Sequence, residues 1–380
     1  METLSKNELK KLIQSVFPPL ESDKQLYILV DLPKSRQEEL AAWNRRRNIA
    51  FDWYGTLAGM QAALGIKPHL VAYINVGSNN ADLPENGYII EEAVPQNAEI
   101  LVSRHQPQSF SRIFTNADIV IALTQFSATA PLKLAAKVYD FRAATMPGFS
   151  EKMIPALRID YNLVNDRVNK LKNMLDDAKG ARVHFIVDKN KSYEMYFDLR
   201  YRSAHASGGR FPSPGTAGNL PSGEAYIVPY EGEKDSQSLT AGTLPVQFDN
   251  DLVFYHIEQN RARVVSGNNK RAISEELLLK NEPAYGNMAE LGFGILYDFG
   301  LKAIGEVLLD EKLGFHIAFG RSDHFDGYVG PQQFSSPENV VHIDRIYLHD
   351  IQPRITVSAV ELEIDKKLTL LIDNGRYTVF

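Results

Sequence analysis

The sequence contains no cysteine. Disulfides, thiolate metal sites and cysteine nucleophiles are therefore excluded, so any metal must be held by oxygen and imidazole. Long apolar runs are missing as well, and none approaches the roughly 18 residues that a membrane span needs. The opening stretch METLSKNELKKLIQSVF has no continuous apolar core of the kind a secretory signal carries. A cytoplasmic protein is expected. Nor is there an excess of positive charge. A net charge of −6 and a pI near 5.9 argue against a nucleic-acid surface. The one dense basic cluster of the first third, Arg45, Arg46 and Arg47, reads as a solvated helix face. Glycine motifs for phosphate are absent too. INVGSNNADLPENG places a glycine after a strand but has neither G-x-G-x-x-G nor a P-loop lysine, and reads as a plain turn.

What is present suits a soluble globular protein. The chain has 380 residues, 44% hydrophobic and 23% charged, which is ample for two domains. Ser5 and Glu8 fit a capping box, and Leu9, Leu12, Ile13 and Val16 share one helical face. LYILVDL, HLVAYINVG, EILVS and DIVIALT then read as short apolar strands separated by helices. That alternation predicts an α/β domain with a mainly parallel sheet covered on both faces. A long helix is expected from about Asp160 to Ala178, with Val164, Val168, Leu171 and Leu175 on one side. Beyond VHFIVD the strands lengthen and alternate, and Asn374-Gly375 is a hairpin signal. The expected division is an α/β domain over 1–180, followed by a β-rich α+β domain over 181–380.

Within that second half the stretch VVHIDRI is unusual. Strand side chains alternate faces, so His342 and Asp344 point the same way out of an apolar run. Buried charge needs a partner, and a metal ion is a good one. The oddity recurs at His316 in LGFHIAFGRSD, Glu224 in NLPSGEAYIVPY and Glu290 in NMAELGFGIL. Four apolar segments therefore each carry metal-capable groups. Oxygen and imidazole donors without thiolate suit zinc, cobalt or manganese.

In order, NLPSGEAY, NMAELGFGIL, GFHIAFGRSD and VVHIDRI resemble the four metal-binding segments of the thermophilic metalloaminopeptidases, the leucyl aminopeptidase-like family of aminopeptidases T and S. MPGFSEKMIPALRIDYNLV resembles the segment before their second domain. The resemblance implies a homodimeric hydrolase acting on peptides through two divalent ions. Their ligands would be Glu224, Glu290, His316, His342 and Asp344, with Glu290 as catalytic base if it is not fully a ligand. Asp323 and Asp326 are the acids available for a substrate amine.

The chain also departs from that pattern. Peptidase members carry two successive glutamates where this sequence has Gly223-Glu224. They also place a tyrosine ligand seven residues after the first histidine. Here that position is Asp323, followed by His324, so either one of these two replaces the tyrosine or the second ion binds weakly or not at all. The same fold hosts 2,5-dihydroxypyridine dioxygenase, a mononuclear Fe(II) enzyme with a 2-His-1-carboxylate triad, which His316, His342 and Asp344 could supply. A non-catalytic member that keeps the fold is the third possibility.

Overall fold

The computed structural model describes residues 2–380. The chain divides into two compact units, Met1–Asn165 with Gly209–Ser222, and Asp166–Gly208 with Gly223–Phe380. The division falls within the helix Tyr161–Asp177, ahead of the expected change near residue 180. The 209–222 segment returns to the first unit, because its short strand Ala217–Asn219 pairs with Arg142–Pro147. Its Gly, Pro and Ser content gives no sign of that pairing.

The first unit is built on a seven-stranded sheet. Its order is Ala217–Asn219, Arg142–Pro147, Ile119–Thr124, Gln25–Leu32, Lys67–Ile74, Asn86–Ile90 and Pro107–Ser109. The first five strands run parallel, and the last two are antiparallel additions. One face buries Tyr27, Leu29, Val71, Tyr73, Val120 and Ala122 against Phe110, Phe114, Leu132 and Phe141. The first helix, Lys6–Val16, begins with the capping box of Ser5 and Glu8 and buries Leu9, Leu12, Ile13 and Val16.

Two expectations are corrected here. EILVS is not a strand but part of the helix Ala98–Arg104. Asn97 accepts a hydrogen bond from the Ile100 amide and starts the helix, which buries Ala98 and Leu101 and leaves Val102 exposed. A five-residue apolar run cannot distinguish these outcomes by periodicity. The arginine trio is not a solvated face either. Arg46 and Arg47 are buried on the helix Ala41–Ala58, and only Arg45 is exposed. Arg46 donates to Gln125 at 3.0 Å, and Arg47 grips both oxygens of Glu39 at 2.5 and 3.0 Å. Their planar, forked heads tolerate burial where such acceptors wait.

The second unit holds two antiparallel sheets. The larger has eight strands, from Arg261–Ser266 at one edge to Arg376–Tyr377 at the other. Its last hairpin turns at Asn374 and Gly375, both with positive φ, 47° and 75°. The smaller has five strands in the order His342–Ile346, Phe315–Gly320, Met288–Gly294, Glu224–Ile227 and His205–Ser207. One of its faces is apolar: Phe319 packs on Tyr255 of the larger sheet at 5.0 Å. Phe315 reaches Phe185 of that sheet through Tyr347, at 5.7 and 5.1 Å.

Candidate metal centre

The other face of the five-stranded sheet collects the charged groups, and strand register explains how. His316, Ala318 and Gly320 alternate with apolar residues and so share one face. Directly opposite residues of antiparallel neighbours share that face too. Ala318 pairs with Glu290 on one side and Asp344 on the other. His316 pairs with Gly292, Gly320 with His342, and Glu224 with Gly294. A bulge between Met288 and Glu290 shifts the register just ahead of Glu290. Five residues spread over 121 positions of sequence thus meet on one surface, separated by alanine and glycine.

The small residues are required there. A Cβ added at Gly292 would lie 1.9 Å from His316 Nε2. The space beside Gly292 is therefore the seat of the imidazole. Glu224, Glu290 and His316 are buried, at 5%, 4% and 1% exposure. His316 Nε2 stands 3.4 Å from Glu290 Oε1 and 3.7 Å from Glu224 Oε2. His342 Nε2 stands 3.1 Å from Glu290 Oε2 and 3.7 Å from Asp344 Oδ1. Glu290 thus turns one carboxylate oxygen to each ring. Two donor groups result, Glu224–Glu290–His316 and Glu290–His342–Asp344, each with its ligand atoms within 4.8 Å of one another.

The rings are aimed by their far nitrogens. His316 Nδ1 contacts the Gly314 carbonyl at 3.1 Å, and His342 Nδ1 contacts the Arg321 carbonyl at 2.7 Å. A proton on each Nδ1 leaves both Nε2 atoms free to ligate, the usual support for a metal-binding histidine. Burial alone would push the His316 imidazole down. Hydrogen bonding to Glu290 and the charges of Glu290, Glu224 and Asp344 outweigh it and hold the ring up at about 10. The same opposition, with Glu290 and Asp344, holds His342 at about 9. For Glu290, burial opposes ionisation, yet the two imidazoles keep it well below the usual carboxylate range.

The residues fit a divalent metal on an observation independent of these charges. Glu224 Oε2 is buried without a hydrogen-bond partner and faces His316. A buried carboxylate oxygen left unsatisfied calls for a ligand. Three carboxylates and two imidazoles make a donor set suited to zinc, cobalt or manganese.

Asp323 and His324 stand at the edge of this cluster. Asp323 Oδ1 is taken by Arg321 at 2.5 Å. The His324 ring meets the His342 ring edge-on at 5.0 Å. Burial, then the charges of His342 and Arg321, push His324 down to about 4, so it is neutral at pH 7. Neither residue falls within the two donor groups. Their loop is anchored by Glu231, which accepts from Ser322 Oγ at 2.6 Å and from the Tyr328 amide.

Two neighbours escape sequence reasoning. Lys312 is buried, with its ammonium 2.5 Å from Glu224 Oε1 and also paired with Glu311. A Glu-Lys pair just before a strand ordinarily reads as a solvated turn, so nothing signals the burial. Tyr226 shares the charged face with Glu224, two residues earlier, and lies opposite Gly292. Phe325 packs on it at 4.7 Å and His205 stacks on it at 5.1 Å.

No family model matches the sequence, and no curated protein matches it. Solved structures do. The chain resembles 2,5-dihydroxypyridine dioxygenase from Pseudomonas putida KT2440 at 14% identity, covering 99% of each chain with a TM-score of 0.61. It also resembles wild-type AmpT from Thermus thermophilus at 14% identity, covering 98% of this chain and 100% of that one with a TM-score of 0.55. At such identity the likeness establishes the fold alone. That fold is one on which an aminopeptidase and a dioxygenase are built.

Two outcomes are expected. Gly292→Ala should displace the His316 ring, destabilise the protein by about 1–3 kcal/mol through overpacking, and lower metal content after dialysis. Unchanged metal content would show that the imidazole does not need this seat. The second outcome concerns pH. His316 and His342 have folded values above the ordinary 6.5. Their contribution to metal-free stability is full below about 6.5 and is lost as pH rises through about 9 and about 10. Melting with chelator present should therefore fall across that window, while zinc-loaded protein should not show the fall. A flat metal-free profile would contradict the pairing.

Proposed function

We propose that the protein is a divalent-metal-dependent hydrolase of the aminopeptidase type, removing N-terminal residues from peptides. The observation that carries this reading is Glu290, one buried carboxylate common to both donor groups. A mononuclear iron triad of His316, His342 and Asp344 has no need of a carboxylate standing between its histidines, nor of Glu224 beside them.

Glu224, Glu290 and His316 would hold one ion, and Glu290, His342 and Asp344 the other. Such ions supply Lewis acidity toward a scissile carbonyl and an activated water at neutral pH. With both oxygens committed to the two groups, Glu290 serves as a ligand rather than as a free base. Burial, followed by the charges of Glu290 and Glu224, pushes the Tyr226 phenol far above its ordinary value. It therefore keeps its proton and offers an O–H donor on the charged face, where negative charge develops on the carbonyl oxygen. Phe325, Tyr226 and His205 form an aromatic edge beside the site. That edge would favour an apolar first residue in the substrate.

Metal-free protein should be inactive on leucine amide and related amino-acid amides. Zinc, cobalt or manganese should restore hydrolysis, and Glu290→Gln should lower kcat by about a thousand-fold or more, since it removes a ligand from both ions. Oxygen uptake with dihydroxypyridines under iron(II), with no amide hydrolysis under any metal, would overturn this reading in favour of the dioxygenase.

A further inference from the structure

We infer that Lys312 is a built-in cation of the metal face that makes the two ion positions unequal. The position formed by Glu290, His342 and Asp344 fills first and tightly; the position formed by Glu224, Glu290 and His316 fills second and exchanges readily. This rests on the two-ion reading above and adds the order of filling.

The asymmetry is visible in the contacts. Lys312 is 3% exposed, and its ammonium is gripped by Glu224 Oε1 at 2.5 Å and by Glu311. Only Oε2 of Glu224 is left for an ion. The lysine cannot easily withdraw. Its backbone is pressed on the neighbouring strand, where a Cβ at Gly294 would lie 2.3 Å from the Lys312 carbonyl carbon. Leaving would also strand two carboxylates in a buried site. A divalent ion at Glu224 Oε2 therefore binds beside a fixed positive charge and receives one oxygen of that carboxylate.

The position formed by Glu290, His342 and Asp344 has no such cation among the described residues. Arg321 is paired with Asp323, and Arg345 is directed to the Tyr285 hydroxyl and the Phe248 ring. Asp344 and His342 face Glu290 with no ammonium between them.

The test is a titration of metal-free protein with cobalt(II), counting ions per chain by dialysis and following the visible spectrum. Wild type should bind one ion tightly and a second at least ten-fold more weakly. His342→Ala should abolish the tight phase and leave the weak one. Lys312→Met should strengthen the second ion at least ten-fold, because it frees Glu224 and removes the repulsion. If that variant does not fold, Lys312→Met with Glu311→Gln removes the stranded acid and should show the same gain. Two equally tight ions in wild type, or an unchanged second ion in whichever lysine variant folds, would overturn the assignment. Failure of wild type to bind any cobalt would instead remove the two-ion reading itself, and the Lys312 role with it.

Discussion

The constraint on which the second unit depends is electrostatic. Glu224, Glu290, Glu311 and Asp344 crowd the surroundings of His316, largely out of water. Carboxylates at such range cannot all stay ionised without compensating positive charge. Without metal, compensation comes from protons on His316 and His342 and from the ammonium of Lys312. On the two-ion reading proposed above, divalent ions would replace the first two, whereas the third is tethered to the chain. The site is therefore organised around which positive charges are exchangeable and which are covalently part of the chain.

Positioning follows from strand register. One face of the five-stranded sheet is apolar and packs through Phe319 on Tyr255 and through Phe315 and Tyr347 on Phe185. That packing fixes which face each strand turns inward, since a one-residue slip would turn every side chain over. The opposite face then has to carry His316, Glu290, His342 and Asp344, and it has room for them because Ala318, Gly292 and Gly294 stand between. The bulge before Glu290 completes the arrangement.

The candidate ligands were legible because ionisable residues are conspicuous in apolar strands, and each segment carried its own signal. The parallel sheet of the first unit was legible for a similar reason, in the short apolar runs around Ile28, Val71 and Ile121. Their convergence was not readable from spacing, because it depends on cross-strand register among segments far apart in sequence. EILVS read as a strand because five apolar-rich residues fit either period, and the cap at Asn97 decided the matter. Arg46, Arg47 and Lys312 were unreadable for one shared physical cause. Burying a cation depends on finding acceptors elsewhere in the fold, and Gln125, Glu39 and Glu224 are brought to them only by tertiary structure.

The claim at the centre is that Glu290 is shared between two ions. Diffraction from crystals soaked in excess zinc, recorded on both sides of the zinc absorption edge, tests it directly. Two anomalous peaks should flank the Glu290 carboxylate, one toward His316 and one toward His342, roughly 3.5–4 Å apart. A single peak within the triad of His316, His342 and Asp344, with Glu290 unligated, would contradict the account.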